Sequence, residues 1–207
     1  MVARPSGSLG SSTASGLSGS LLGRLREAVG FPEEPSLDQS AGRRHAGVLL
    51  LFDPSSDRLP LLFTVRSSDL RSHAGQIAFP GGSAEEGDAD IITTALREAH
   101  EEVGIAPDNV DVVGVLSPLV TAVSDRWLTP VVGLQREPWV VLVDSNEVAE
   151  WFRVDLASLM EAPHQIREFQ RAGVRRGVHF YDVESRVIWG VSAAILHELM
   201  LRLGRPD

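Results

Sequence analysis

Glu98, Glu101 and Glu102 stand close together in the segment Ile91–Val103. At about 100° per residue, a helix would gather their carboxylates on one side. That side lies beside, not opposite, the apolar stripe of Ile92, Ala95, Leu96, Ala99 and Val103, so all three glutamates are expected at the edge of the core, facing a groove. Carboxylates this close repel one another unless a cation is near. Spacing alone leaves two readings open. One is a solvated acidic face, with Arg97 paired to Glu101 at the four-residue spacing. The other is a set of oxygen ligands converging on a divalent ion.

The elements that must hold these residues are legible in part. Asp90 is a candidate N-cap, Gly104 suits a left-handed helix stop, and Pro107 blocks resumption. A closing helix is expected over 191–203. Strands are expected over 46–52 and 59–66, separated by the turn-rich 53–58, and over 111–116, 128–134, 139–143, 148–154 and 178–183. Strands on both sides of a central helix predict an α/β fold, with a mixed sheet packed between helices. Residues 1–20 are dominated by Ser, Gly and Ala and cannot bury enough surface to offset their ordering entropy, which predicts a disordered tail. A short helix over 21–29 and a proline-punctuated linker carry the chain to 44, and the folded domain is expected over 45–207.

Composition narrows the chemistry. The formal net charge of -9 and pI near 5.1 argue against a broad basic surface for nucleic acid. Local arginines or a bound cation still admit an anionic substrate. With no cysteine, thiol nucleophiles, disulfides and thiolate zinc sites are excluded. Any metal must take oxygen or histidine ligands, and carboxylates favour Mg2+ or Mn2+. Apolar runs such as 46–52 are too short to span a bilayer, and the N-terminus lacks the apolar core of a signal peptide. The expectation is a cytoplasmic protein with neither membrane nor nucleic-acid partner.

The run Arg97-Glu98-Ala99-His100-Glu101-Glu102-Val103-Gly104-Ile105 resembles the core of the Nudix box, Arg-Glu-apolar-any-Glu-Glu-any-Gly-apolar. The Gly81-Gly82 turn lies upstream, one residue further from Arg97 than in the standard box. Ala89 falls where the first Glu of the box would be, so Asp88 or Asp90 is expected to take over that largely structural position. The resemblance implies a Nudix-type α/β/α sandwich with a mixed sheet, acting on nucleoside diphosphates linked to another group. It further implies Glu98 and Glu102 as principal metal ligands. Glu101 would be a further ligand or help deprotonate water, and Arg97 would orient the glutamates. Metal would neutralise the diphosphate and acidify the attacking water.

Upstream stand Leu62-Phe63-Thr64-Val65-Arg66-Ser67, then Arg71, Gly75 and Phe79-Pro80-Gly81-Gly82. This resembles the additional signature of Nudix enzymes that hydrolyse coenzyme A, with Phe63 in place of its second Leu. The implied substrate is coenzyme A or an acyl-coenzyme A; a homodimer is one assembly left open by the sequence. Arg66, Arg71, His73 and Gln76 can offer donors to phosphate groups; the alternative for Arg66 and Arg71 is solvent exposure or pairing with the acidic run 85–90. His73 reads as a loop hydrogen-bonder before it reads as a base. Gly75, Gly81 and Gly82 read as turn formers. The segment 119–133, with Asp125 and Arg126, is similar to the loop and strand after the box. Glu147 is the candidate for the additional base or metal ligand that the resemblance implies in this region, and Trp189 reads as packing.

Overall fold

The computed structural model describes residues 20–30, 42–70, 73–121, 125–171 and 173–205. The expected disordered tail falls on undescribed residues, except for Ser20. Ser20 accepts a hydrogen bond from Gly23 N at 3.1 Å and caps helix α1, Leu21–Ala28.

The central strand β1, His45–Phe52, explains the architecture. Leu49 and Leu51 point into one core, with Ala95, Ala99 and Val103 of helix α2, Ile91–Val103. Leu50 and Phe52 point into the other, with Leu25 of α1 and Ile195, Leu196 and Leu199 of helix α4, Val191–Arg202. Side chains alternate along a strand, so a strand covered on both faces is an unbroken apolar run, as Gly47-Val48-Leu49-Leu50-Leu51-Phe52 nearly is. The result is the expected α/β/α sandwich.

Around β1 the sheet is mixed. Strand β7, Trp127–Gln135, runs parallel to β1. Strand β2, Pro60–Arg66, and the short β4, Gly81–Ser83, are antiparallel to it. Strand β3, Ile77–Ala78, adds to β2, and strand β5, Val110–Val115, adds to β7. The short β6, Leu119–Val120, also pairs with β7. Strand β8, Val148–Asp155, pairs with β2. Gly47 lets α2 lie directly on β1, since a Cβ there would come within 2.8 Å of Ile91 O.

One expectation is corrected and another is extended. Residues 139–143 form no strand. Leu142 N donates to Val103 O at 3.2 Å and Asp144 N to Glu102 O at 3.0 Å, so this segment satisfies the orphan carbonyls at the end of α2 instead of joining a ladder. The expected strand over 178–183 is the last part of β10, Val174–Val183, which pairs with β9, His164–Arg171, and β11, Arg186–Trp189, in a separate three-stranded sheet. The described side chains of β9 after His164 are exposed, so no buried alternation betrayed it. Helix α3, Leu156–Glu161, also went unforeseen. Among the described residues no helix is long and apolar enough to cross a membrane.

Candidate metal centre

Helix α2 is held at both ends as its sequence requires. Asp90 Oδ1 accepts from Thr93 N at 2.7 Å and Thr93 Oγ1 at 2.8 Å. Gly104 closes the helix at φ 74°, its N–H donating to His100 O at 3.0 Å. The buried face is turned slightly from the expected stripe. Ile91, Thr94, Ala95, Ala99, Glu102 and Val103 are buried, whereas Ile92 and Leu96 are half-buried.

That rotation separates the three glutamates. Glu102 is only 3% exposed. Its Oε2 accepts from Gly81 N at 3.1 Å, and Arg66 Nη1 lies 3.7 Å from its Oε1. Burial pushes its carboxyl up to about 8, against the pull of the Gly81 N–H and Arg66, with the charges of Glu147 and Glu98 raising it further. Glu98 is mostly buried and faces Gly82, where a Cβ would sit 2.4 Å from the Glu98 carboxylate. Its carboxyl is also raised, first by burial, and Glu101 and Glu147 add to this while Arg97 opposes it. Glu101 is turned outward, its side chain 57% exposed. The three are therefore not equivalent members of one edge.

Arg97 organises the outer layer. Its guanidinium binds both oxygens of Asp88 at 3.1 Å, Ser83 O at 3.0 Å, Glu98 at 3.1 Å and Glu101 at 3.0 Å. The Arg97–Glu101 pair of the solvated-face reading is present, but as one edge of this network. Bonding to Arg97 holds the Asp88 carboxyl down at about 2 and raises the Arg97 guanidinium above its ordinary range. Asp88 also accepts from Thr94 Oγ1 at 2.9 Å. The two acids flanking Ala89 thus divide the work: Asp90 caps the helix and Asp88 anchors the arginine.

The upstream segment arrives at the same carboxylates. Arg66 ends β2 beside Glu102, not on the acidic run 85–90. The loop after it folds back, with Gly75 N donating to Arg66 O and Arg66 N to Gln76 O, both at 3.0 Å. Within that loop His73 Nδ1 lies 2.8 Å from Gln76 Oε1, a loop hydrogen bond as expected of His73. Arg71 lies outside the described residues. Gly81 and Gly82 do more than turn the chain, since one supplies a donor to Glu102 and the other clears space for Glu98. Glu147 is placed by the segment that crosses the end of α2: its N–H donates to Asp144 O at 3.0 Å and its carbonyl accepts from Ser67 N at 2.8 Å. Its charge acts on both Glu98 and Glu102. Sequence reasoning missed Arg126, which donates to Ser83 Oγ beside the Arg97 anchor. The only signal was its place in the segment after the box. Trp189 is 43% exposed and stacks on Phe180 with ring centres 6.1 Å apart, a packing contact.

Two carboxylates raised by burial and by neighbouring carboxylate charges form a pair that a cation would relieve. The family model of the NUDIX domain matches residues 42–176. This chain belongs to the Nudix family. It is similar to the uncharacterized Nudix hydrolase NudL of Pectobacterium atrosepticum, 43% identical over 83% of this chain and 90% of that protein. NudL of Photorhabdus laumondii is 42% identical over 77% of this chain and 85% of that protein. Among solved structures it resembles a MutT protein from Methanosarcina mazei, at 17% identity and a TM-score of 0.49 over 82% of this chain and 97% of that one. As a Nudix hydrolase it acts on the diphosphate linkage of nucleoside diphosphate derivatives, and the family generally uses divalent metal ions.

Proposed function

We propose that this Nudix hydrolase cleaves the diphosphate of coenzyme A and its thioesters, giving 3′,5′-ADP and 4′-phosphopantetheine products. The observation that carries the reading is the meeting of two motifs at one carboxylate. Arg66 and Gly81, both from the segment that resembles the coenzyme A signature, contact Glu102 of the Nudix helix.

In this reading Glu98 and Glu102 hold the ion, and their hard oxygen donors suit Mg2+ or Mn2+. Gly82, bare beside Glu98, leaves the approach open. When bound, the ion supplies charge neutralisation of the diphosphate and polarisation of the attacked phosphorus. Arg97 is a positioning residue that orients Glu98 and Glu101 against Asp88. Glu101 serves as a further oxygen ligand or helps accept the proton of the attacking water. Glu147, whose charge reaches both buried carboxylates, is the other candidate base. The water oxygen bonds to phosphorus, the bridging P–O bond breaks, and the water proton passes to a carboxylate. Arg66 at the end of β2, and Arg71, His73 and Gln76 after it in sequence, are the candidates to meet the phosphates of the nucleotide.

The test is a substrate panel of coenzyme A, ADP-ribose, NADH and dinucleoside polyphosphates with Mg2+ or Mn2+, with products identified by mass. Coenzyme A is expected to be cleaved. Turnover of ADP-ribose alone would keep the chemistry and remove the substrate assignment. No turnover at all, with ion binding intact, would favour a binding or regulatory module.

A further inference from the structure

We propose that His164, His179 and His197 form a second metal site, separate from the glutamate centre and selective for a borderline transition ion such as Zn2+. One nitrogen from each ring lies within 4.8 Å of the others. His164 stands at the start of β9, His179 lies in β10, and His197 lies on α4. In the β9–β10 ladder His164 is opposite Tyr181, and His179, two residues from Tyr181, shares its face of the sheet. Helix α4 brings His197 onto that face, its ring centre 4.5 Å from His164 and 4.6 Å from His179. Two of the three histidines lie beyond the residues matched by the family model.

The geometry suits coordination. His164 Nε2 and His179 Nδ1 are 3.0 Å apart. With Zn–N bonds of about 2.0–2.1 Å, two ligands of a tetrahedral ion stand roughly 3.3 Å apart, so a cation can take the place of the shared proton with little opening of the pair. Imidazole nitrogen is a common metal ligand. The Tyr181 hydroxyl lies 3.5 Å from His197 Nδ1, the kind of neighbour that orients a ligating ring.

Three protein nitrogens leave a tetrahedral ion one open position. His164 and His197 line a cavity of about 480 Å³ together with Met160, Tyr181, Met200 and Arg205, which has room for a water or small anion. Among the described residues, Arg205 is the one Arg or Lys lining that cavity. Its guanidinium is engaged by Leu159 O at 3.0 Å and Ala162 O at 2.6 Å, and it lies over the Tyr181 ring at 5.5 Å. It opposes the ion but favours an anionic fourth ligand. Imidazole donors prefer Zn2+, Co2+, Ni2+ or Cu2+ and discriminate against Mg2+, so the ion preferred here differs from the one suited to Glu98 and Glu102.

The experiment uses the full chain carrying Glu98→Gln and Glu102→Gln, stripped with a chelator and titrated with Zn2+, Co2+ and Mg2+. The expected result is one Zn2+ per chain, a Tm that rises with Zn2+ and not with Mg2+, and a tetrahedral ligand-field spectrum with Co2+. His179→Ala, His197→Ala and the milder His164→Asn are judged only where their Tm in chelator matches the parent. Each should weaken Zn2+ binding by at least about 100-fold, more than the loss of an outer-sphere partner costs. X-ray absorption at the zinc edge, which needs no histidine variant, should report three imidazole ligands. An all-oxygen shell, absence of a Zn2+-dependent Tm shift, or full Zn2+ affinity in all well-folded histidine variants would overturn the proposal.

Discussion

The glutamates of α2 and the histidines of the β9–β10–α4 junction are both clusters of metal-binding groups, assembled in opposite ways. Glu98, Glu101 and Glu102 come from adjacent turns of one helix, so their proximity is built into the sequence. Their differences come from elsewhere. Gly81 and Arg66 reach Glu102, the bare Gly82 faces Glu98, and the outward Glu101 meets Arg97. The histidines share no element, and only sheet register and helix docking bring them together. Local spacing can thus reveal that a cluster exists, while its members' roles depend on what packs against each of them. A cluster assembled wholly by packing leaves no local pattern.

The largest expected effect that tests this contrast is at Glu102. Glu102→Gln should lower coenzyme A hydrolysis by roughly 1,000-fold or more, because metal stabilisation of transition-state charge is worth several kcal/mol and about 1.4 kcal/mol is tenfold in rate. An equal loss in Glu101→Gln would break the distinction drawn between buried and exposed members. Gly82→Ala should come next, with a loss of about 100-fold in kcat, since misplacing a reacting group by about an ångström costs that much. Its Tm should stay near the parent's, because the added methyl meets a movable carboxylate and not backbone. A large fall in Tm would show that Gly82 serves the sheet instead.

Asp88→Asn separates positioning from chemistry. The Asp88 carboxyl is held at about 2 against an ordinary 3.8, which corresponds to on the order of 2 kcal/mol of stability. A depressed carboxyl contributes fully above its unfolded value and loses that contribution as pH falls through its folded one. The stability gap between parent and variant, followed by thermal denaturation, should therefore be widest above pH 4 and close as pH approaches 2. A gap that is flat across this range would remove the Arg97–Asp88 bond from the account. The smallest expected effect completes the comparison: His179→Ala should leave coenzyme A hydrolysis unchanged, and a marked loss of kcat would join the two sites.

Much of the fold was legible because the central strands and α2 obey simple periods. The unbroken apolar run of β1 marked a strand covered on both faces, and α2 carried its own cap, stripe and stop. The segment 139–143 misled because its apolar residues resemble a strand. In the fold Val140 and Leu142 are 77% and 68% exposed, and its backbone serves the end of α2. The three-stranded sheet was mostly invisible because strands largely exposed to solvent need no buried alternation.

By itself the sequence determined that an acidic helix with a Gly-rich turn upstream would pack on a mixed α/β sheet, since helical spacing and capping are properties of neighbouring residues. Only the tertiary structure decided that Glu102 is buried beside Arg66 and Gly81, that Asp88 anchors Arg97, and that three distant histidines meet. Desolvation and convergence depend on which elements pack together, and no window along the chain contains that information.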